Sequence, residues 1–314
     1  MPDLPSPDAP LRIGTRGSPL ALAQADETRE RLMVAHGLPA EAFEIVRIQT
    51  TGDRVQNRSL SEIGGKGLFT REIEADLLAG KIDLAVHSTK DMPTLQPEGL
   101  VIDCFLPRED PRDALVTLDG RGLADLAHGA VVGTSSLRRR AQLLIRRPDL
   151  QVVEFRGNLQ TRMAKLRSGV ADATFLAMAG LNRMAMTDVP RVAIEADDML
   201  PALAQGTIGV ERRSDDTRVD GLLAAIHDGS TGFRLDCERS FLRTLDGSCE
   251  TPIAGLALLD GPRLRFRGEI LRPDGSDVLM VEGDCPFDEG VRLGRTLARD
   301  LLARAPADFF DWRA

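Results

Sequence analysis

The pattern that most restricts the fold is a unit that occurs twice: a short apolar run, a polar loop, then a helix opened by a hydroxyl residue. It appears first as Leu11-Arg12-Ile13-Gly14-Thr15-Arg16, followed by Ser18-Pro19 and the segment Leu20 to His36. It returns as Ala130 to Gly133, followed by Thr134-Ser135-Ser136-Leu137-Arg138-Arg139-Arg140 and a helix running to Arg147. Serine caps and a first-turn proline mark helix starts. Strands separated by helices pair in parallel through crossovers. After the first unit the spacing predicts a strand over Phe43 to Gln49, a helix over Phe69 to Ala79 and a strand over Ile82 to Val86, a βαβαβ order that implies a parallel sheet. Leu100 to Leu106 reads as a further strand. The charged, proline-bounded run Pro107 to Asp113 then reads as a hinge. Strands over Gln151 to Phe155 and Ala173 to Met178 follow the second unit.

Chemistry-bearing residues collect just past the strand ends, where open α/β sheets bind ligands. Lys90 and Asp91 fall in the loop between Val86 and Pro93, offering a cation for an anionic substrate and a carboxylate for proton handling or a developing positive charge. Arg16 and Ser18 stand at a helix N-terminus, where free amides and the dipole favour an anion. Arg138 and Arg139 share a first helical turn with the hydroxyls of Thr134 and Ser136, and arginines there oppose the macrodipole unless an anion compensates. Arg156, Arg162 and Arg183 recur beyond later strands. Each alone is the kind of arginine that is usually solvated; together they are placed to line one wall of a cleft. Only four of the 40 basic residues are lysines, Lys66 and Lys90 among them, and both occupy polar loops. Lys66 lies in Gly64-Gly65-Lys66-Gly67, a flexible loop able to swing over a site. It is not a Walker A loop, whose glycine spacing and Ser/Thr after lysine are missing.

Thr207 to Val210 is a short apolar strand read as a return crossover to the first unit. Helices fit Val219 to His227 and Phe233 to Leu245. Three alternating strands, Ile253 to Asp260, Leu264 to Leu271 and Val278 to Asp284, are joined by Asp-Gly turns and followed by a helix over Val291 to Ala305. This predicts a third, smaller α+β domain. Cys249 stands in a Gly-Ser loop as a candidate nucleophile, whereas Cys104 reads as core. No CxxC and no Cys/His spacing suited to zinc occurs, so the four cysteines are expected to be reduced thiols and no metal is expected. A formal charge of −8 argues against a general nucleic-acid binder. No apolar run approaches a membrane span. The Pro- and Asp-rich start reads as a disordered leader rather than a signal peptide, so a cytoplasmic protein is expected.

These segments, in order, resemble the porphobilinogen deaminase (hydroxymethylbilane synthase) family from Leu11 to the last helix. The runs that carry the resemblance are Arg12 to Ala21, Gly64 to Phe69, His87 to Pro93, Arg108 to Asp113, Gly133 to Arg139, Arg156-Gly157-Asn158, Ala204-Gln205-Gly206 and Gly247 to Ile253. Glu250, where the family often has glutamine, and the ten-residue leader depart from the pattern. The resemblance implies an α/β chain of two type II periplasmic-binding-protein-like domains joined by hinge strands, plus a small C-terminal α+β domain. The boundaries would be 1–107 with 206–226, then 108–205, then 227–314. It implies a transferase condensing four porphobilinogen molecules head to tail, with loss of ammonia, into linear hydroxymethylbilane for haem biosynthesis. A dipyrromethane cofactor would be held by a thioether to Cys249. Asp91 would be the catalytic carboxylate and Lys66 part of a lid. Arg16, Ser18, Lys90, Thr134, Ser136, Arg138, Arg139, Arg156, Arg162 and Arg183 would bind cofactor and substrate carboxylates, bidentate guanidinium pairing explaining the arginines. The family implies a monomer. From a different class, an anion-binding regulator domain would explain the helix-terminus arginines but not Cys249 or the Lys90-Asp91 pair, and a cysteine hydrolase finds no local histidine.

Overall fold

The computed structural model describes residues 4–54, 70–247 and 251–313. In chain order the first elements are β1 (Leu11–Arg16), α1 (Pro19–His36), β2 (Phe43–Ile48), α2 (Arg71–Leu78), β3 (Leu84–Ser88) and β4 (Leu100–Phe105). The middle of the chain forms β5 (Asp113–Thr117), β6 (Val131–Gly133), α3 (Leu137–Arg146), β7 (Gln151–Val153), α4 (Leu159–Arg167), β8 (Ala173–Ala177), α5 (Met178–Arg183) and β9 (Arg191–Ala193). There follow β10 (Ile208–Arg213), α6 (Thr217–Leu223), α7 (Gly229–Thr244), β11 (Ile253–Asp260), β12 (Arg263–Leu271), β13 (Val278–Pro286) and α8 (Gly290–Arg304). These group into two compact units, residues 1–109 with 207–232, and residues 110–206 with 233–314.

The first unit is built on a five-stranded sheet in the order β2-β1-β3-β10-β4. β1 pairs in parallel with β2 and β3, as the βαβαβ order requires. The sheet is nevertheless mixed. β10 enters antiparallel between β3 and β4, so the crossover predicted for Thr207 to Val210 becomes a central strand reaching Arg213. Leu11, Ile13, Leu84, Val86, Ile208 and Val210 bury one face against Ala25 and Leu32 of α1 and Val219 and Leu222 of α6. Ile73 and Leu77 of α2 cover the other face with Ala85 and Ile82.

In the second unit a five-stranded sheet runs β7-β6-β8-β5-β9. β5, antiparallel to β8 and β9, is buried along its whole length. The sequence reading passed over it and over β9. Separate cores lie about Phe155, Met163 and Leu166, and about Phe175, Leu143 and Met199. The three C-terminal strands form an antiparallel sheet in the order β11-β12-β13, with Gly261 and Gly275 at positive φ in the connecting turns. α7 and α8 pack on it through Cys237, Phe241, Ala298 and Leu301.

Candidate active site

At the carboxyl ends of β1 and β3, Arg16, Ser18, Gln24, His87, Ser88 and Asp91 line one cavity of about 90 Å³. The local sequence explains each placement. Ser18 caps α1, its Oγ accepting from the Ala21 N–H at 3.3 Å, with Pro19 as the first helical residue. That puts the helix N-terminus and the Arg16 side chain on the same rim. β3 ends at Ser88, and Thr89-Lys90-Asp91 forms one turn of 3-10 helix closed by Met92 N–H to Thr89 C=O. Asp91 is exposed and Lys90 half-buried. The turn is held against β10 by Thr89 N–H donating to Thr207 C=O at 3.0 Å. Glycine at 209 permits this approach, since a Cβ there would stand 2.8 Å from Thr89 Oγ1. Gln24, buried in α1, bonds the Ser88 hydroxyl at 2.9 Å and fixes the end of β3.

Thr134, Ser136, Arg138, Arg139, Arg156, Arg162 and Arg183 belong to the second unit. Ser136 caps α3 by accepting from Arg139 N–H, and Thr134 Oγ1 accepts from Ser136 N–H at 3.2 Å. Arg138 and Arg139 are buried rather than solvated, and the anion that compensates them within the chain is Asp113 at the start of β5. Arg138 Nη1 lies 2.8 Å from Asp113 Oδ2, and Arg139 Nη2 donates to Oδ1 at 2.7 Å. Burial alone would raise the Asp113 carboxyl, but Arg138 and then Arg139 hold it well below the usual carboxylate range. Burial pushes the Arg138 guanidinium down, Asp113 opposing and Arg139 reinforcing the fall. Arg162, on α4, is pushed down to about 10, first by burial and then by repulsion from Arg139. Its Nε donates to Gly157 C=O, where φ of +117° calls for glycine. Arg156 is half-buried, its carbonyl accepting from Lys165 Nζ at 3.0 Å. Arg183 ends α5 and donates to Gly206 C=O at 3.1 Å. Lys66 and Cys249 lie outside the described residues.

Several buried partners were not singled out from sequence. Gln205 donates to Pro111 C=O and to Asp113 Oδ1, and Gln142 joins Leu200 C=O to Glu269 Oε1. Gln205 stands in the Ala204-Gln205-Gly206 run and Asp113 closes the Arg108 to Asp113 run, the one sequence signal for each, but nothing in either run pairs Asp113 with arginines further along the chain. Arg138 and Arg139 thus share the one Asp113 carboxylate and Arg139 repels Arg162, while burial raises the Glu269 carboxyl against the hydrogen bond from Gln142. Two guanidiniums on one carboxylate suit an added carboxylate-bearing ligand. Among the described residues no His/Cys/Asp/Glu group could hold a metal ion.

Fold and side chains together define an α/β protein with two mixed five-stranded sheets, a C-terminal three-stranded sheet and two clusters of arginine and hydroxyl side chains at strand and helix ends. Residues 11–221 match the family model described as porphobilinogen deaminase, dipyromethane cofactor binding domain, and residues 233–303 match the porphobilinogen deaminase C-terminal domain. The chain is 66% identical over 312 residues to porphobilinogen deaminase of Paracoccus denitrificans, covering 99% of this chain and all of that one. It belongs to the porphobilinogen deaminase family. As such it is a transferase that condenses porphobilinogen into hydroxymethylbilane on a dipyrromethane cofactor. Solved structures similar to it include the periplasmic VFT2 domain of Bordetella pertussis BvgS, at TM-score 0.41 and 18% identity, over 69% of this chain and 86% of that one. Another is a probable amino-acid ABC transporter extracellular-binding protein of Bacillus subtilis, at TM-score 0.39 and 16% identity, over 73% and 96%.

Proposed function

We propose that Asp91 is the catalytic carboxylate of this reaction and Cys249 the residue that holds the cofactor. The observation that carries the reading is the cavity that brings Asp91, Arg16 and Ser18 together at the strand ends. When bound, dipyrromethane supplies the nucleophilic ring carbon from which the chain grows. The residues of the chain do the rest. Loss of ammonia from the aminomethyl group of porphobilinogen leaves a cationic azafulvenium, and Asp91, exposed to the cavity, offsets that charge and handles the pyrrole N–H and ring-carbon protons. Arg16, Lys90 and the Ser18 hydroxyl receive acetate and propionate groups beside it. Thr134, Ser136, Arg138, Arg139, Arg156, Arg162 and Arg183 serve the remaining carboxylates, the two buried guanidiniums that share the single Asp113 carboxylate favouring an added anion. Lys66 belongs to a lid.

In the same reading the chain divides into domains 1–107 with 206–226, 108–205 and 227–314, and works as a cytoplasmic monomer. No helix among the described residues is long and apolar enough to cross a membrane. Two measurements test the chemistry. Protein made in cells should exceed its sequence mass by one dipyrromethane and Cys249→Ser should carry no such adduct; active parent enzyme of bare sequence mass overturns the assignment. Asp91→Asn should retain the adduct and lose at least a hundredfold in turnover, on the order expected for a lost general acid–base group. Near-parental turnover would remove Asp91 from its role.

A further inference from the structure

His87 is the histidine that lines the cavity of Asp91, and it is tied to a carboxylate that the chemistry above does not use. Its Nε2 lies 3.1 Å from Glu211 Oε2, with the imidazole 5% and the carboxylate 0% exposed. The two face each other because β10 runs antiparallel to β3, Glu211 standing opposite Ala85 on the face His87 shares. A bulge between Val210 and Glu211, where β10 meets β4, turns the carboxylate locally. Among the described residues Glu211 Oε1 has no hydrogen-bond partner. The other described histidines with bonds of their own serve the backbone: His36 meets Leu222 C=O, and His227 accepts from Phe105 N–H.

A carboxylate without solvent and with half its acceptors unpaired is costly as a bare anion beside a neutral ring. The His87 ring nitrogen is the partner that the described residues give this carboxylate. Other charged groups stand on the elements around it. Arg16 comes from β1, Lys90 and Asp91 from the turn, and Arg71 and Glu74 from α2. Burial raises the Glu74 carboxyl, the Thr70 hydrogen bond opposing the rise and Glu211 adding to it.

We propose that the His87–Glu211 dyad carries a proton between the two halves of each coupling, to the departing ammonia and back from the newly joined ring carbon. This rests on the reading that Asp91 acts at this cavity. The aminomethyl group enters as its ammonium form, and the first half breaks the carbon–nitrogen bond, its electron pair leaving on ammonia. His87 gives its proton to that ammonia, which becomes ammonium and can no longer add back to the cation. In the second half the carbon–carbon bond forms and the ring carbon loses its proton, the C–H pair restoring the aromatic ring. Asp91 takes that proton and passes it to the now neutral His87, returning both groups to their starting states. A cavity of about 90 Å³ has room for bridging water, each taking roughly 30 Å³. Each coupling then releases one ammonium ion with no proton left over or owed.

The test is the alkaline limb of the pH profile of kcat, together with the ring resonances of His87 followed by NMR in holoenzyme, assigned by their loss in His87→Gln. In Glu211→Gln the imidazolium loses its partner, so both the resonances and the alkaline limb should move to lower pH by at least one unit. Glu211→Asp should restore most of that shift, which a packing role for Glu211 would not do. His87→Gln should keep its cofactor mass, lose at least tenfold in kcat and lose the limb. An unmoved alkaline limb in Glu211→Gln, or His87→Gln within twofold of the parent, overturns the shuttle. Failure of the underlying reading looks different: Asp91→Asn would then turn over normally, whereas an inactive Asp91→Asn with an unmoved Glu211→Gln profile removes the shuttle alone.

Discussion

Asp113 shows how one side chain sets the electrostatics of the second unit. It is fully buried, accepts from Arg139 and Gln205, and stands 2.8 Å from Arg138. Removing its charge leaves two buried guanidiniums facing each other, so Asp113→Asn should cost about 3–5 kcal/mol, the range for breaking a buried pair. Denaturant unfolding would register this as a fall in midpoint at nearly constant slope, and a loss below about 1 kcal/mol would mean that the arginines find other anions. The pH dependence has a definite sign. The folded carboxyl lies below the usual range, so its stabilisation is complete above the unfolded value of about 3.9 and disappears as pH falls through the folded one. The variant should therefore lack that part of the parent's acid destabilisation. The arginines were legible in the sequence because each follows a strand or opens a helix. Their partner was not, because burial of an aspartate between distant segments leaves no periodic trace.

At the scale of elements, β10 decides what the Thr89–Asp91 turn rests on. Gly209 faces His87 in register, and its missing side chain is what Thr89 occupies. Gly209→Ala would place a methyl 2.8 Å from Thr89 Oγ1 and 3.1 Å from Ile102 Cγ2. Overpacking of this kind costs about 1–3 kcal/mol, and the displaced turn carries Asp91 with it. Turnover should fall at least tenfold while cofactor mass is kept; parental kcat with lowered stability would show that the turn is indifferent to β10. The same strand marks a limit of reading fold from sequence. Its apolar pattern was visible, and the return to the first sheet with it, but insertion between β3 and β4 depends on long-range pairing. β5 was hidden for a different reason. Its first residue, Asp113, falls in the charged connector, and the apolar run Ala114 to Val116 that remains is too short to mark a strand by periodicity. By contrast β11 to β13 alternate cleanly about Asp-Gly turns and were placed within a few residues of their ends.

For the whole molecule, the distribution of buried apolar groups predicts how it unfolds. The first unit closes its sheet with its own cores about Leu11, Ile13 and Val210, and about Ile73 and Leu77. The second has cores about Phe155 and Phe175, and Gln142 and Glu238 bond its sheet and loops to the C-terminal strands. Glu238, fully buried on α7, accepts from Ala204 N–H at 2.6 Å and Ala257 N–H at 2.8 Å, so this region should melt with the second unit. Chains with separate cores depart from two-state unfolding, their van't Hoff enthalpy falling below the calorimetric one. Calorimetry should show that inequality. Phe155→Ala should lower one component by roughly 3–5 kcal/mol, the cost of truncating a buried phenylalanine, and leave the other in place. A single transition with equal enthalpies that moves as a whole in the variant would mean that the two units fold as one cooperative body.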